Sequence, residues 1–473
     1  MLFTSNVFVQ FFLPLLLLLY FLPPKLGIKG RNAVLLVFSL IFYAFGGVRH
    51  FFLLLLSVLF NYAGGLGVGL ATRPTVRRLL LGASVVGNLA MIGIFKYAGF
   101  ATSILKDLGL VAEVAVIALP IGISFFTFQG LSYVIDVYRG DTPVQKNLLN
   151  VGLYISLFPQ LVAGPIVRYT DVEREILTRE HSVAEVSEGL LRFMLGFGKK
   201  MLIANPMGQV ADEAFGLVGT ELLTTPLAWV GAVAYTMQIY FDFSAYSDMA
   251  IGLGRIFGFH FRENFDYPYI SSSVTEFWRR WHISLSSWFR DYVYIPLGGN
   301  RRGVARQIFN LAVVWLLTGL WHGASWNFIV WGVYYGLLLI LEKFVLKGLL
   351  PRIPRPLRHL ATMLIVVIGW VFFRAATLAD GLAYLGVMLG GGSHDPASSV
   401  YYLLQFAPEF LLAFIGIFPV FRLLGRLAAR HSDKGAVFVL SRILPKVFAL
   451  VVFVLSYMTL VSGSFNPFIY FQF

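Results

Sequence analysis

Apolar runs long enough to cross or nearly cross a bilayer recur along the whole chain, at about 7–23, 32–47, 51–72, 79–101, 112–138, 149–166, 185–204, 226–257, 308–322, 325–342, 358–377, 403–424 and 444–463. The pattern predicts an all-α polytopic membrane protein with roughly 11–13 membrane helices. The run at 308–322 is short, and 226–257 is long enough for a bent or broken helix, which a membrane tolerates where it lines a protein cavity. The polar intervals, at about 167–184, 260–276, 296–307 and 388–400, are each too short to hold a soluble core. Residues 1–473 therefore read as a single membrane domain: peripheral N-terminal helices over about 1–110, a core over about 111–345 and C-terminal helices over about 346–473.

Composition strengthens this reading. With 58% hydrophobic and 13% charged residues and a mean hydropathy of +0.76, the chain carries more apolar surface than a water-soluble interior can absorb. The first run lacks a basic segment and a small-residue cleavage site, so it reads as a retained first span. The net charge of +13 is scattered between apolar runs and points to membrane topology, with no nucleic-acid partner. Lys25, Lys29 and Arg31 precede a loop with Arg49 alone; Arg73, Arg77 and Arg78 then precede one with Lys106 alone. This alternation puts the N-terminus outside and the first loop in the cytoplasm. The absence of cysteine excludes disulfides, thiolate metal sites and a cysteine acyl-enzyme.

Candidate chemistry centres on two histidines. His282 lies in Trp278-Arg279-Arg280-Trp281-His282-Ile283-Ser284, and His322 in Gly319-Leu320-Trp321-His322-Gly323. Imidazole takes and returns a proton near neutral pH, and an ionisable group at membrane depth is costly enough to suggest function. Ser273 and Glu276 form a capping pattern, and Pro296-Leu297-Gly298-Gly299 a stop, so one helix is expected over about 274–294. At 100° per residue, Phe277, Trp278, Trp281, Leu285, Trp288, Phe289 and Tyr292 share an aromatic face. Arg279, Arg280, Ser284, Ser287, Arg290 and Asp291 lie largely opposite, with His282 at the edge. The plain alternative is an interfacial anchor helix in which His282 is a bystander. The histidines lack metal-ligand spacing, and no metal is expected.

Asp242, Asp248, Gln129, Gln160, Asn310, Trp281, Trp321 and Ser325 are further candidates for a polar tunnel. For Asp242 and Asp248 a hydrogen-bonded structural role, with a neighbouring arginine for instance, is an equal alternative. Arg279, Arg280 and Arg290 suit either lipid headgroups or the phosphates of an acyl donor. The run Gly252-Leu253-Gly254-Arg255-Ile256-Phe257-Gly258 has the wrong spacing for a nucleotide loop and reads as a helix-packing surface.

The segments around both histidines, the continuation Pro296-Leu297-Gly298-Gly299-Asn300-Arg301, and the stretches Gln238-Ile239-Tyr240-Phe241-Asp242-Phe243-Ser244, Phe158-Pro159-Gln160-Leu161-Val162-Ala163-Gly164-Pro165 and Ile121-Gly122-Ile123-Ser124-Phe125 resemble the membrane-bound O-acyltransferase family. The likeness favours its alginate-type bacterial branch over the teichoic-acid D-alanylation branch. It implies helices ringing a central tunnel, His322 as the catalytic residue and His282 as its partner. It further implies acetyl-coenzyme A or another acyl thioester as a cytoplasmic donor substrate, no bound cofactor, and location in the bacterial inner membrane. A periplasmic or cell-surface acetyltransferase partner and a polysaccharide acceptor complete the expectation. Acyl transfer to a hydroxyl needs a base and a receiver for the oxyanion. A desolvated His322 suits the base, and three roles stay open for His282: orienting the donor, holding the acceptor or donating to the oxyanion. A transporter or channel using buried histidines and aspartates is the competing class. The lack of a sequence repeat weighs against it.

Overall fold

The structure, a computed structural model, describes residues 1–23, 25–420, 422–423, 443–463 and 465–467. Residues 421 and 424 of the predicted span 403–424, and residues 421, 424–442, 464 and 468–473 of the predicted C-terminal helices, lie outside the described residues. Regular structure in the described residues is helical throughout. Among the described residues, six helices are long and apolar enough to cross a membrane: Val48–Leu70, Pro74–Asp107, Val304–His322, Trp326–Gly348, Arg355–Arg374 and Leu444–Val461. The bent pair Ala397–Gln405 and Ala407–Gly416, at 72°, would make a seventh. Other expected spans fold into shorter or interrupted helices. The run at 112–138 is helical only over Ile123–Arg139, after an irregular approach through Pro120 and Gly122, and that at 149–166 breaks at Leu157, before Pro159. Thr225–Ile256, by contrast, is one helix of 32 residues.

The chain divides into two units. The first, Met1–Phe193 with Ser247–Arg262, packs Val48–Leu70 against Pro74–Ile92 and Ile123–Arg139. Asn61 and Asn88 clasp two of these helices through reciprocal amide hydrogen bonds of 3.2 and 2.9 Å, a polar tie suited to hydrocarbon. Buried Arg179 donates to Tyr20 and Asn32, joining loop to helices. Gly252 sits against the Gly189 carbonyl, 2.6 Å from where a Cβ would stand, in keeping with a packing role for the glycine run.

The second unit, Met194–Tyr246 with Glu263–Phe473, is built on an aromatic core that includes Tyr240, Tyr269, Trp278, Trp281, Trp331 and Trp370. Tyr269 links ring to backbone, accepting from Trp370 Nε1 at 3.2 Å and donating to the Thr236 carbonyl at 2.6 Å. Val304–His322 and Trp326–Ile340 form a close antiparallel pair. Glycine permits this approach: a Cβ on Gly319 would lie 2.4 Å from the Phe328 carbonyl oxygen, and one on Gly332 2.5 Å from that of Trp315. The contact lies one turn before His322, the last residue of the helix. Gly332→Leu should force the pair apart and cost about 1–3 kcal/mol. A lowered thermal-unfolding midpoint in detergent is the expected readout, and an unchanged midpoint would refute the packing account.

Candidate functional site

The helix expected over about 274–294 is interrupted at the histidine. Val274–Arg280 starts as anticipated, with Ser273 Oγ accepting from the Glu276 N–H at 3.0 Å. The Glu276 carboxylate closes on Ser272 instead of Ser273. Glu342 also caps this end, accepting from the N–H groups of Val274 and Thr275 at 2.8 and 3.0 Å. The helix stops because the extended segment after Glu263 captures its backbone groups: Asp266 N–H donates to the Arg280 carbonyl at 3.0 Å, and Ile283 N–H to the Asn264 carbonyl at 2.9 Å. His282 takes up the reversal in the left-handed region, at φ 44° and ψ 56°. That conformation costs a non-glycine residue about 1–3 kcal/mol. A second helix, Ile283–Phe289, then continues into a π-helical turn, Arg290–Tyr294. The single-helix wheel is therefore corrected: His282 is buried at a break, and Ser284, assigned to the polar face, is buried beside it.

His282 is 1% exposed. Asn264 Oδ1 lies 3.1 Å from its Nδ1, and the same oxygen accepts from the Ser284 N–H at 3.2 Å and Oγ at 2.9 Å. Nε2 is buried without a hydrogen-bond partner among the described residues. Burial pushes the imidazole down to about 3, so the ring is neutral at working pH. The Phe243 ring stands edge-on at 4.6 Å, and that of Trp321 at 5.8 Å.

Trp321 joins the two histidines, its ring also 5.0 Å from that of His322. His322 is 7% exposed at the last residue of its helix, with Trp331 and Phe373 each 5.1 Å away. Trp278 and Tyr335 extend the cage, centroids 5.5 and 5.3 Å from Trp331. Trp278 Nε1, Trp331 Nε1 and Tyr335 Oη are buried with no hydrogen-bond partner among the described residues. Three buried donors and His282 Nε2 are thus left without a hydrogen-bond partner among the described residues.

The other candidates disperse. Trp281 is in the core, centroid 4.8 Å from Trp370. Ser325 precedes Trp326–Ile340 and hydrogen-bonds Asn327, while Asn310 donates to the Gly299 carbonyl at 2.9 Å. Asp242 is buried in an ion pair with Lys200 at 3.0 Å, and Lys200 also donates to the Pro467 carbonyl. Asp248 belongs to the first unit and pairs with Arg192 at 2.8 Å, the arginine partnership anticipated. Gln129 and Gln160 are buried in the first unit too, Gln160 donating to the Tyr154 carbonyl. Arg280 pairs with Glu276 and Asp266, Arg290 pairs with Asp291, and Arg279 is exposed. Asn264 and Lys200 escaped the sequence reading. Lys200 carried a usable signal, a charge inside an apolar run; Asn264 lay unremarked in a polar interval.

A helical architecture with several membrane-crossing segments is the one expected of a known family of membrane enzymes. The model of the membrane-bound O-acyltransferase family matches residues 141–379, and the chain belongs to that family. It is an acyltransferase of the alginate-type branch, embedded in a membrane by several passes. Over the full length of both chains it is 43% identical to the probable alginate O-acetylase AlgI of Pseudomonas putida. It is 34% identical to the peptidoglycan O-acetyltransferase of Helicobacter pylori, over 87% of this chain and 83% of that one. The teichoic acid D-alanyltransferase of Bacillus subtilis is 30% identical over 53% of this chain and 66% of its own.

Breaking a buried ion pair by removing one member costs about 3–5 kcal/mol, whereas replacing both members by apolar residues is often neutral. Lys200→Met should therefore destabilise the protein strongly, and adding Asp242→Leu should restore most of the loss. Thermal unfolding of the two variants checks this; additive losses would contradict it.

Proposed function

We propose that this acyltransferase carries acetyl from a cytoplasmic thioester, acetyl-coenzyme A, to a hydroxyl for O-acetylation of an exported polysaccharide. The observation that carries the reading is the pair of buried histidines sharing one tryptophan within the aromatic cage. The hydroxyl oxygen attacks the thioester carbonyl carbon while His322 takes the hydroxyl proton. The tetrahedral intermediate collapses, the carbon–sulfur bond breaks, and the proton returns to the departing thiolate. Ester and free thiol are the products. The unpaired donors of Trp278, Trp331 and Tyr335 are suited to receive the oxyanion, whose stabilisation is worth most where water is excluded.

Full-length likeness to alginate O-acetylases, against half-length likeness to D-alanyltransferases, supports acetyl as the group moved. It also supports the bacterial inner membrane as location, with the N-terminus outside and a periplasmic or cell-surface partner completing delivery. The charge alternation of the first loops supports that orientation.

His322→Ala, folded as wild type, should lose about 10²–10⁴-fold in release of free thiol from acetyl-coenzyme A with alginate oligosaccharide as the hydroxyl probe. Equal release by variant and wild type would overturn His322 as the base. Robust turnover only with a D-alanyl thioester would overturn acetyl as the group transferred.

A further inference from the structure

A backbone N–H can only donate, so the Ser284 N–H contact at 3.2 Å identifies the Asn264 atom as the amide oxygen. The imidazole nitrogen 3.1 Å from that oxygen must then carry a hydrogen to bond with it. In a neutral ring the other nitrogen, Nε2, is left bare. It is buried and lacks a partner among the described residues, although a buried polar atom normally finds one. Around the ring stand Asn264, Ser284, Phe243 and Trp321, all uncharged, and the Ser284 hydroxyl, 3.4 Å from Nδ1, gives its own hydrogen to Asn264 at 2.9 Å. Its left-handed backbone is pinned on both sides by hydrogen bonds to the segment that carries Asn264.

From this geometry we propose that Asn264 is a positioning residue for His282, holding the ring so that Nδ1 bears the hydrogen and Nε2 is offered as an acceptor to an N–H or O–H group of a substrate. This rests on the acyl-transfer reading above and deepens it. Of the three roles open to His282 it removes donation to the oxyanion, because Nε2 carries no hydrogen. Two groups have the required chemistry: an amide N–H on the pantetheine arm of the thioester, and the hydroxyl of the acceptor.

The first test does not depend on activity. Nitrogen-15 NMR of histidine-labelled protein, with the His282 signals assigned by their loss in His282→Gln, should show a protonated Nδ1 and a bare Nε2 at neutral pH. A hydrogen on Nε2 of the wild type would overturn the proposal even if acyl transfer is established. Conversely, the expected tautomer in a protein without transferase activity would sink the functional reading and leave the role of Asn264 standing. The second test is kinetic, with acetyl-coenzyme A and alginate oligosaccharide as probes. Asn264→Ala should lower kcat/KM on the order of 10–100-fold, taking as a guide the loss when the orienting partner of a metal-ligating histidine is removed. A rise in KM for the thioester would identify the amide as the donor to Nε2; a rise in KM for the oligosaccharide would identify the hydroxyl. Asn264→Asp keeps the accepting oxygen for Ser284 but adds a negative charge beside Nδ1, which favours a second proton on the ring. Its kcat/KM should gain an acid limb absent from wild type, as Nε2 is lost to protonation on lowering the pH. A purely structural Asn264 predicts that Asn264→Asp restores the wild-type pH profile, and that outcome, or an unaffected Asn264→Ala, would overturn the proposal.

Discussion

Residues 264–266 take hydrogen-bonding groups that a continuous helix through 274–289 would have kept for itself, and the arrangement of the site depends on that exchange. Without it, the capping pattern at Ser273 and the aromatic periodicity favour one long helix. With it, the chain breaks in the left-handed region at His282; Phe277 and Trp278 of the first short helix join the aromatic core, and Trp288 and Phe289 of the second are buried. Strain at the left-handed residue is held by bonds on either side, the circumstance in which a protein retains it at a working position.

The aromatic cage follows from the same economy of polar groups. Large rings bury much apolar area with few rotatable bonds, and edge-to-face packing fixes their orientation. Around His322, the rings of Trp321, Trp331 and Phe373 stand at interplanar angles of 87°, 79° and 74°. Such walls exclude water, which raises the strength of each remaining hydrogen bond. The Lys200–Asp242 pair has the opposite character, a buried charge satisfied within the protein and therefore better suited to holding structure than to chemistry.

Much of this was legible in the chain itself. Class, helical architecture and both histidines follow from hydropathy and from ionisable groups in apolar surroundings, since these are local properties. What resisted reading was non-local. The break at His282 is imposed by a segment 18 residues away through Asn264, and no periodicity within 274–294 encodes it. The apolar runs at 112–138 and 149–166 satisfied a length criterion but contained Pro120 and Pro159, whose effect on helix continuity depends on the surrounding packing. Asp242 and Asp248 looked equivalent by sequence, yet they belong to different units and answer different cations, Lys200 and Arg192, supplied by distant stretches of chain.

The central claim is that acyl transfer takes place inside the aromatic cage at His322. The most direct measurement is a structure of the protein bound to a non-transferable acyl-coenzyme A analogue with a ketone in place of the thioester. The account predicts the carbonyl within the cage, with room for a hydroxyl at hydrogen-bond reach of about 3 Å from His322. An analogue bound at saturation elsewhere, with the rings of Trp321, Trp331 and Phe373 still closed on His322, would contradict it.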